Sequence, residues 1–128
     1  MKILLSTIVL SLFPFSLAYD RGLTSHFVNW LNDVGGYEPY NFNRSDFFGG
    51  SFGGKQNDST PIVRRPVVFV HGTGGRLIGD DPITDGFRYT IEYFLNKGYT
   101  KAELYGSMWG FGDVDHMFEH YHQGEWIL

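Results

Sequence analysis

The sequence predicts an α/β fold: one βαβ unit of a parallel sheet, preceded by an irregular Gly- and aromatic-rich N-terminal region. Three observations carry this expectation. Val67 to Val70 is a continuous β-branched and aromatic run, which suits a strand buried on both faces, as in parallel sheets. Residues 82–97 then carry apolar positions at helical spacing. A second apolar run at residues 102–109 completes the order strand, loop, helix, strand, for which a right-handed parallel crossover is the default.

The chain of 128 residues is short enough for one domain. Its start reads differently from the rest. Lys2 supplies a positive charge, Ile3 to Phe15 is apolar, and Ser16-Leu17-Ala18 is a small-x-small sequence. This is the pattern of a secretory signal peptide over residues 1–18, leaving residues 19–128 as the domain. The alternative is an anchored N-terminal helix, against which stands the lack of a second apolar segment. Export places the protein outside the cell, in an oxidising compartment. The chain nevertheless has no cysteine, so the fold is expected to hold without disulfides. Asn43-Arg44-Ser45 and Asn57-Asp58-Ser59 are N-x-S sequons that fit the same route, making Asn43 and Asn57 glycosylation candidates.

Within the domain, "YDRGLTSHFVNWLNDV" (residues 19–34) spaces Leu23, Phe27, Trp30, Leu31 and Val34 as a short helix does, with Thr24 or Ser25 as cap. Residues 35–61, rich in Gly, Asn and Asp, read as irregular loop. Residues 66–75 read as a strand and the turn that follows it. In the helix over 82–97, Asp80 or Asp81 is the expected cap and Pro82 the first residue. Phe87, Ile91, Phe94 and Leu95 form its stripe, and Gly98 ends it. "AELYGSMW" is the second strand, and "FGDVDHMFEHYHQGEWIL" opens a further helical pattern. There are no internal repeats. One βαβ unit has two open faces and two raw edges, so the pattern reads as the first third of a larger α/β sheet.

The formal charge is −4, and it becomes one unit more negative if Lys2 leaves with the leader. No basic cluster exceeds Arg64-Arg65, which argues against nucleic acid and anionic membranes as partners. Aromatic residues make up 18% of the chain, leaving a packed core and an apolar binding surface both open.

The stretch Pro66-Val-Val-Phe-Val-His-Gly-Thr-Gly-Gly75 ends a strand in a His-Gly-x-Gly-Gly turn. It resembles the oxyanion loop of α/β-hydrolases. With the helix and "KGYTKAELYGSMWG" behind it, and "GGSFGGK" at residues 49–55 before it, it resembles the lipase class 2 family of secreted triacylglycerol lipases over roughly residues 20–128. That resemblance implies a partial α/β-hydrolase fold and a lipid ester as substrate, with no cofactor. It implies an oxyanion hole fed by the backbone N–H of Thr73, beside Gly72, with His71 orienting the loop rather than acting as a base. The plainer reading is that His71-Gly72 is a tight strand-ending turn.

The nucleophile of such an enzyme sits on a strand-to-helix elbow, G-x-S-x-G. The one literal match, Gly49-Gly50-Ser51-Phe52-Gly53, lies in the Gly-rich stretch, with no strand before it or helix after it expected, and it precedes the oxyanion strand. Ser107 in Gly106-Ser107-Met108-Trp109-Gly110 is one residue out of register. The chain is therefore expected to hold half of an oxyanion hole and no catalytic triad. It reads as a truncated or degenerate relative, inactive alone, or as a secreted non-catalytic lipid- or protein-binding remnant. Oligomeric state is left open.

The sequence carries two further motif-like stretches. His116-Met-Phe-Glu119-His120 matches H-x-x-E-H, which on a helix places His116 and His120 on one face to bind zinc. His122 falls on another face, and an amphipathic helix explains the pattern, so no metal is expected. "GTGGRLIGD" lacks both the Lys-Ser/Thr of a P-loop and dinucleotide-binding spacing.

Overall fold

The structure, a computed structural model, describes residues 21–72, 74–80, 86–113, 115 and 116. The expected signal peptide, Pro82 and the helical pattern beyond residue 116 lie outside these. No helix among the described residues is long and apolar enough to cross a membrane.

Strand β1 (Gly22–Leu23) leads into helix α1 (Ser25–Asn29), then β2 (Ser51–Gly53), β3 (Val67–Phe69), helix α2 (Arg88–Asn96) and β4 (Leu104–Ser107). The four strands form one sheet in the order β1-β2-β4-β3. β3 and β4 are parallel, with Val67 opposite Leu104 and Phe69 opposite Gly106, and α2 lies between them in the chain. The molecule is thus broadly α/β.

The sheet is not wholly parallel, however. β2 runs antiparallel to β4, with Phe52 opposite Gly106, and pairs parallel with β1. The expectation of irregular loop over 35–61 missed this strand and a 3-10 turn at Glu38–Tyr40. Its glycines hid it, yet they are what the pairing needs. Gly53 has φ +120, and a Cβ there would lie 1.9 Å from Leu104 O.

Other boundaries moved for local reasons. Thr24 caps α1 as expected, its hydroxyl accepting from Phe27 N–H at 3.2 Å. The helix then widens into a π-turn over Trp30–Val34. α2 begins at Arg88, because Gly86 bridges Ile78 and Phe87 N–H donates to Leu77 O at 2.8 Å. Asp80, a candidate cap, instead lies 3.8 Å from Arg76. α2 does stop at Gly98. The Gly98 and Tyr99 amides donate to Leu95 O (2.9 Å) and Phe94 O (3.1 Å), and the Tyr99 ring packs edge-on against Phe94. The second strand is shorter than 102–109 because Lys101–Glu103 coils into a 3-10 turn.

The core lies where α2 covers the sheet: Phe52, Phe69, Leu77, Ile78, Ile91, Leu104 and Met108, with Phe87, Phe94 and Leu95 packed around it. The Phe69 ring meets Phe87 at 5.3 Å and Phe94 at 6.2 Å. β3 is not buried on both faces, as its apolar run suggested. Phe69 is 5% exposed, but Val68 is 67% and Val70 72% exposed. β3, like β1, is an edge strand, and Val68 on its second face is left uncovered among the described residues.

A single carboxylate aligns the two parallel strands. Glu103 is fully buried. Its Oε1 accepts from the Val63 and Arg64 amides, both at 2.7 Å, on the approach to β3. Its Oε2 accepts from Thr100 N–H at 2.9 Å and from the Thr100 hydroxyl at 3.2 Å, at the approach to β4. The Thr100 and Arg64 amides do most to hold the carboxyl at a pKa of about 2, well below its ordinary 4.5. A carboxylate depressed in this way stabilises the fold fully above its unfolded pKa, and the contribution fades as pH falls from about 4.5 to about 2. Glu103→Gln should therefore lower the thermal midpoint at pH 7 by roughly 5–10 °C. It should also flatten the acid decline in that window. Circular dichroism melts from pH 7 to pH 2.5 measure both, and a variant with unchanged midpoint and unchanged acid slope contradicts the assignment.

Candidate functional site

Because β3 and β4 run in parallel, the segments that leave their C-terminal ends emerge at the same edge of the sheet. In open α/β folds that is where ligands bind. Here the two segments are stitched together. Past β3, the chain passes Val70 into His71 and Gly72 and turns, with Gly75 N–H donating to Gly72 O at 3.0 Å. Gly74 sits at φ +72, in the left-handed region that favours glycine. A Cβ on Gly75 would lie 3.1 Å from Gly72 O and 3.3 Å from the His71 ring, a tight fit that a side chain there could take only if this turn shifted by a few tenths of an ångström.

His71 is buried, at 7% exposure. Its Nε2 accepts from Trp109 N–H at 3.0 Å, and its Nδ1 lies 2.8 Å from Gly72 O. A backbone amide only donates and a carbonyl only accepts. The ring is therefore neutral with its proton on Nδ1. Burial drives the His71 pKa below its usual 6.5, while the Gly72 carbonyl pulls it partly back up and the nearby Arg44 charge adds to the lowering. The Trp109 indole stacks on the imidazole, with centroids 5.3 Å apart and planes 8° from parallel, and its Nε1 donates to His71 O at 3.1 Å.

The partner segment is itself anchored. Arg44, in the Gly-rich region, donates to Met108 O and Gly110 O, both at 2.9 Å, and pairs with Asp46 at 3.1 Å. Arg76 Nε donates to Gly112 O at 3.1 Å. The arrangement holds a backbone loop in fixed shape, and His71 has both ring nitrogens committed to main-chain groups. It does not present a histidine free to move protons.

The other candidate residues are placed as follows. Thr73 lies outside the described residues. Gly72 is exposed, and a Cβ on it would meet nothing within 4 Å. Ser51 is buried in β2, not in loop. Its hydroxyl donates to Asn43 O and accepts from Leu23 N–H. Ser107 donates to Phe42 O at 2.7 Å. Asn43 is half-buried and Asn57 exposed. His116 Nδ1 lies 2.7 Å from Asp113; Glu119, His120 and His122 lie outside the described residues. Among the described residues no cluster of three metal-ligating side chains occurs.

A family model described as "Lipase (class 2)" matches residues 64–128, just over half of the chain. The chain belongs to the class 2 lipase family. No curated protein and no solved structure gives a match. The class 2 lipase match takes in β3, the His71 turn, α2, β4 and Trp109. It starts after "GGSFGGK", so it is narrower than the resemblance drawn from sequence. Trp109, Arg44 and Glu103 were not singled out from the class 2 lipase sequence. Thr100-Lys-Ala-Glu103 carried a visible signal, the spacing of a capping box. Arg44 carried none, since its carbonyl partners lie 64 and 66 positions away.

A histidine held neutral stabilises the fold fully above its unfolded pKa of 6.5 and loses that contribution as pH falls. His71→Ala should cost about 1–3 kcal/mol at pH 7.5 by stranding the Trp109 amide. The difference from the native chain should shrink between pH 7 and pH 5. Urea midpoints followed by tryptophan fluorescence test this; an unchanged difference across that range refutes it.

Proposed function

We propose that this chain forms the N-terminal part of an α/β-hydrolase fold in a lipase-like carboxylic ester hydrolase acting on lipid esters, and that it works outside the cell. The turn after β3 is its oxyanion loop, with the Thr73 amide as donor and Gly72 beside it. An oxyanion hole needs donors fixed in advance where negative charge develops. The observation that carries the reading is the double tether of His71. One ring nitrogen holds Gly72 O and the other holds Trp109 N–H, so the side chain orients the loop and takes no part in proton transfer. The open space around Gly72 leaves room for a substrate oxygen. Residues 1–18, with Lys2 before an apolar run, support export.

We propose further that the chain alone is inactive. A nucleophilic serine passes its proton to a base. The Ser51 and Ser107 hydroxyls instead donate to backbone carbonyls. A hole and substrate binding without the triad retain only roughly 10³–10⁴-fold over water, and half a hole retains less. A second reading, a non-catalytic lipid- or protein-binding role, draws on Trp30, Tyr37 and Tyr40, which are 46%, 43% and 44% exposed.

Purified chain incubated with a p-nitrophenyl ester should show no saturable hydrolysis above buffer. Turnover that survives Ser51→Ala and Ser107→Ala would mean a nucleophile elsewhere in the chain. Reading the transcript past the Leu128 codon separates the two functions. An in-frame strand, G-x-S-x-G and helix pattern supports the hydrolase, and a stop codon with a stable lipid-binding product supports the second reading.

A further inference from the structure

The two N-x-S sequons stand in opposite surroundings. Asn57 opens a closed surface turn. Its main-chain N–H donates to Thr60 Oγ1 at 3.1 Å, the Thr60 amide donates back to Asn57 O at 3.1 Å, and the Thr60 hydroxyl donates to Asn57 Oδ1 at 3.2 Å. Lys55 Nζ donates to Asp58 O at 2.7 Å, and the Asp58 carboxylate lies 3.3 Å from His26 Nε2. Asn57, Asp58 and Ser59 are all exposed. With Oδ1 held by Thr60, the amide has a set orientation and its Nδ2 end is left to solvent.

Asn43 is built into the packing. Its carbonyl accepts from the buried Ser51 hydroxyl, and its Oδ1 sits 3.5 Å from the same oxygen. It walls two cavities, of about 310 and 290 Å³. The next residue, Arg44, holds a positive φ of 42 and spends its guanidinium on Met108 O and Gly110 O. A bulky sugar chain rooted at Asn43 would press on the contact that seats β2 and on the clamp behind Trp109.

We infer that Asn57 carries an N-linked glycan in the folded protein and that Asn43 stays bare; this rests on the export reading above. Transfer takes place on the entering chain, before the turn closes. The Asn57 Nδ2 forms a bond to the anomeric carbon of a lipid-linked oligosaccharyl pyrophosphate. The sugar–phosphate C–O bond breaks, the pyrophosphate leaves with the bonding pair, and the amide gives up one proton to the transferring enzyme. A chain modified at Asn57 closes its turn with the glycan in solvent. A chain modified at Asn43 carries its glycan against the Ser51 contact and the Arg44 clamp, and is depleted from the folded pool.

The test uses the full chain secreted from eukaryotic cells, with the monomeric folded fraction isolated. Enzymatic glycan release in heavy-oxygen water converts each glycosylated Asn to a mass-tagged Asp. The tag is expected on Asn57 and absent from Asn43. Ser59→Ala, which removes the sequon without touching the Thr60 hydrogen bonds, should abolish the glycan, whereas Ser45→Ala should leave it unchanged. A tag on Asn43 in the folded fraction overturns the inference. So does an untagged Asn57 when a heterologous cleavable leader drives the chain into the secretory pathway. A glycan on Asn57 with that leader but not with residues 1–18 supports the site and sinks the export reading alone.

Discussion

Four hydrogen bonds converge on the Glu103 carboxylate, and the alignment of the parallel strands β3 and β4 follows from them. Two come from the Val63 and Arg64 amides and two from Thr100, so the chain segments entering β3 and β4 are gripped by one rigid group. A parallel pair cannot be set by a tight hairpin, because its strands are joined by a long crossover. Some contact distant in sequence has to fix which residue faces which. With Val67 set opposite Leu104, the far ends of both strands come out level, and the imidazole of His71 meets the indole of Trp109. The site is thus a downstream result of a carboxylate at the opposite end of the sheet.

Between those two ends the core supplies the remaining order. Gly106 makes the point: a Cβ there would lie 2.4 Å from Leu77 Cδ1, so the loop that follows the His71 turn packs directly onto the β4 backbone. Leu77 and Ile78 are fully buried, and Ile78 N–H donates to Gly49 O at 3.2 Å. The class 2 lipase region and the Gly-rich segment before it are one packing unit, even though the family match begins only at residue 64.

Local signals were the legible ones. Thr24 as a cap, Gly98 as a stop, and the apolar faces of α2 and β4 each act through neighbours within a few residues, so they could be read directly. The His-Gly turn was legible for the same reason. What stayed hidden depends on distant contacts. β2 reads as loop because Ser51-Phe-Gly53 has little strand propensity, and it becomes a strand through pairing with β4 and β1. Val68 and Val70 read as buried because an apolar run does not say which strand lies at the edge. Trp109 becomes part of the site only through a register that the sequence does not display.

β3 has a neighbour on one side only among the described residues, and it offers Val68 and Val70 to water. A bare apolar margin of that kind templates the stacking of further copies into aggregates. The three residues just ahead of it are Arg64, Arg65 and Pro66, two charges and an imino acid that lacks a ladder donor. They act as gatekeepers. The colloidal fate of the chain is therefore governed beside the same strand that leads into the His71 turn, and neutralising the exposed Arg65 would trade solubility for precipitation, while Arg64 also holds Gly98 O and Tyr99 at the end of α2.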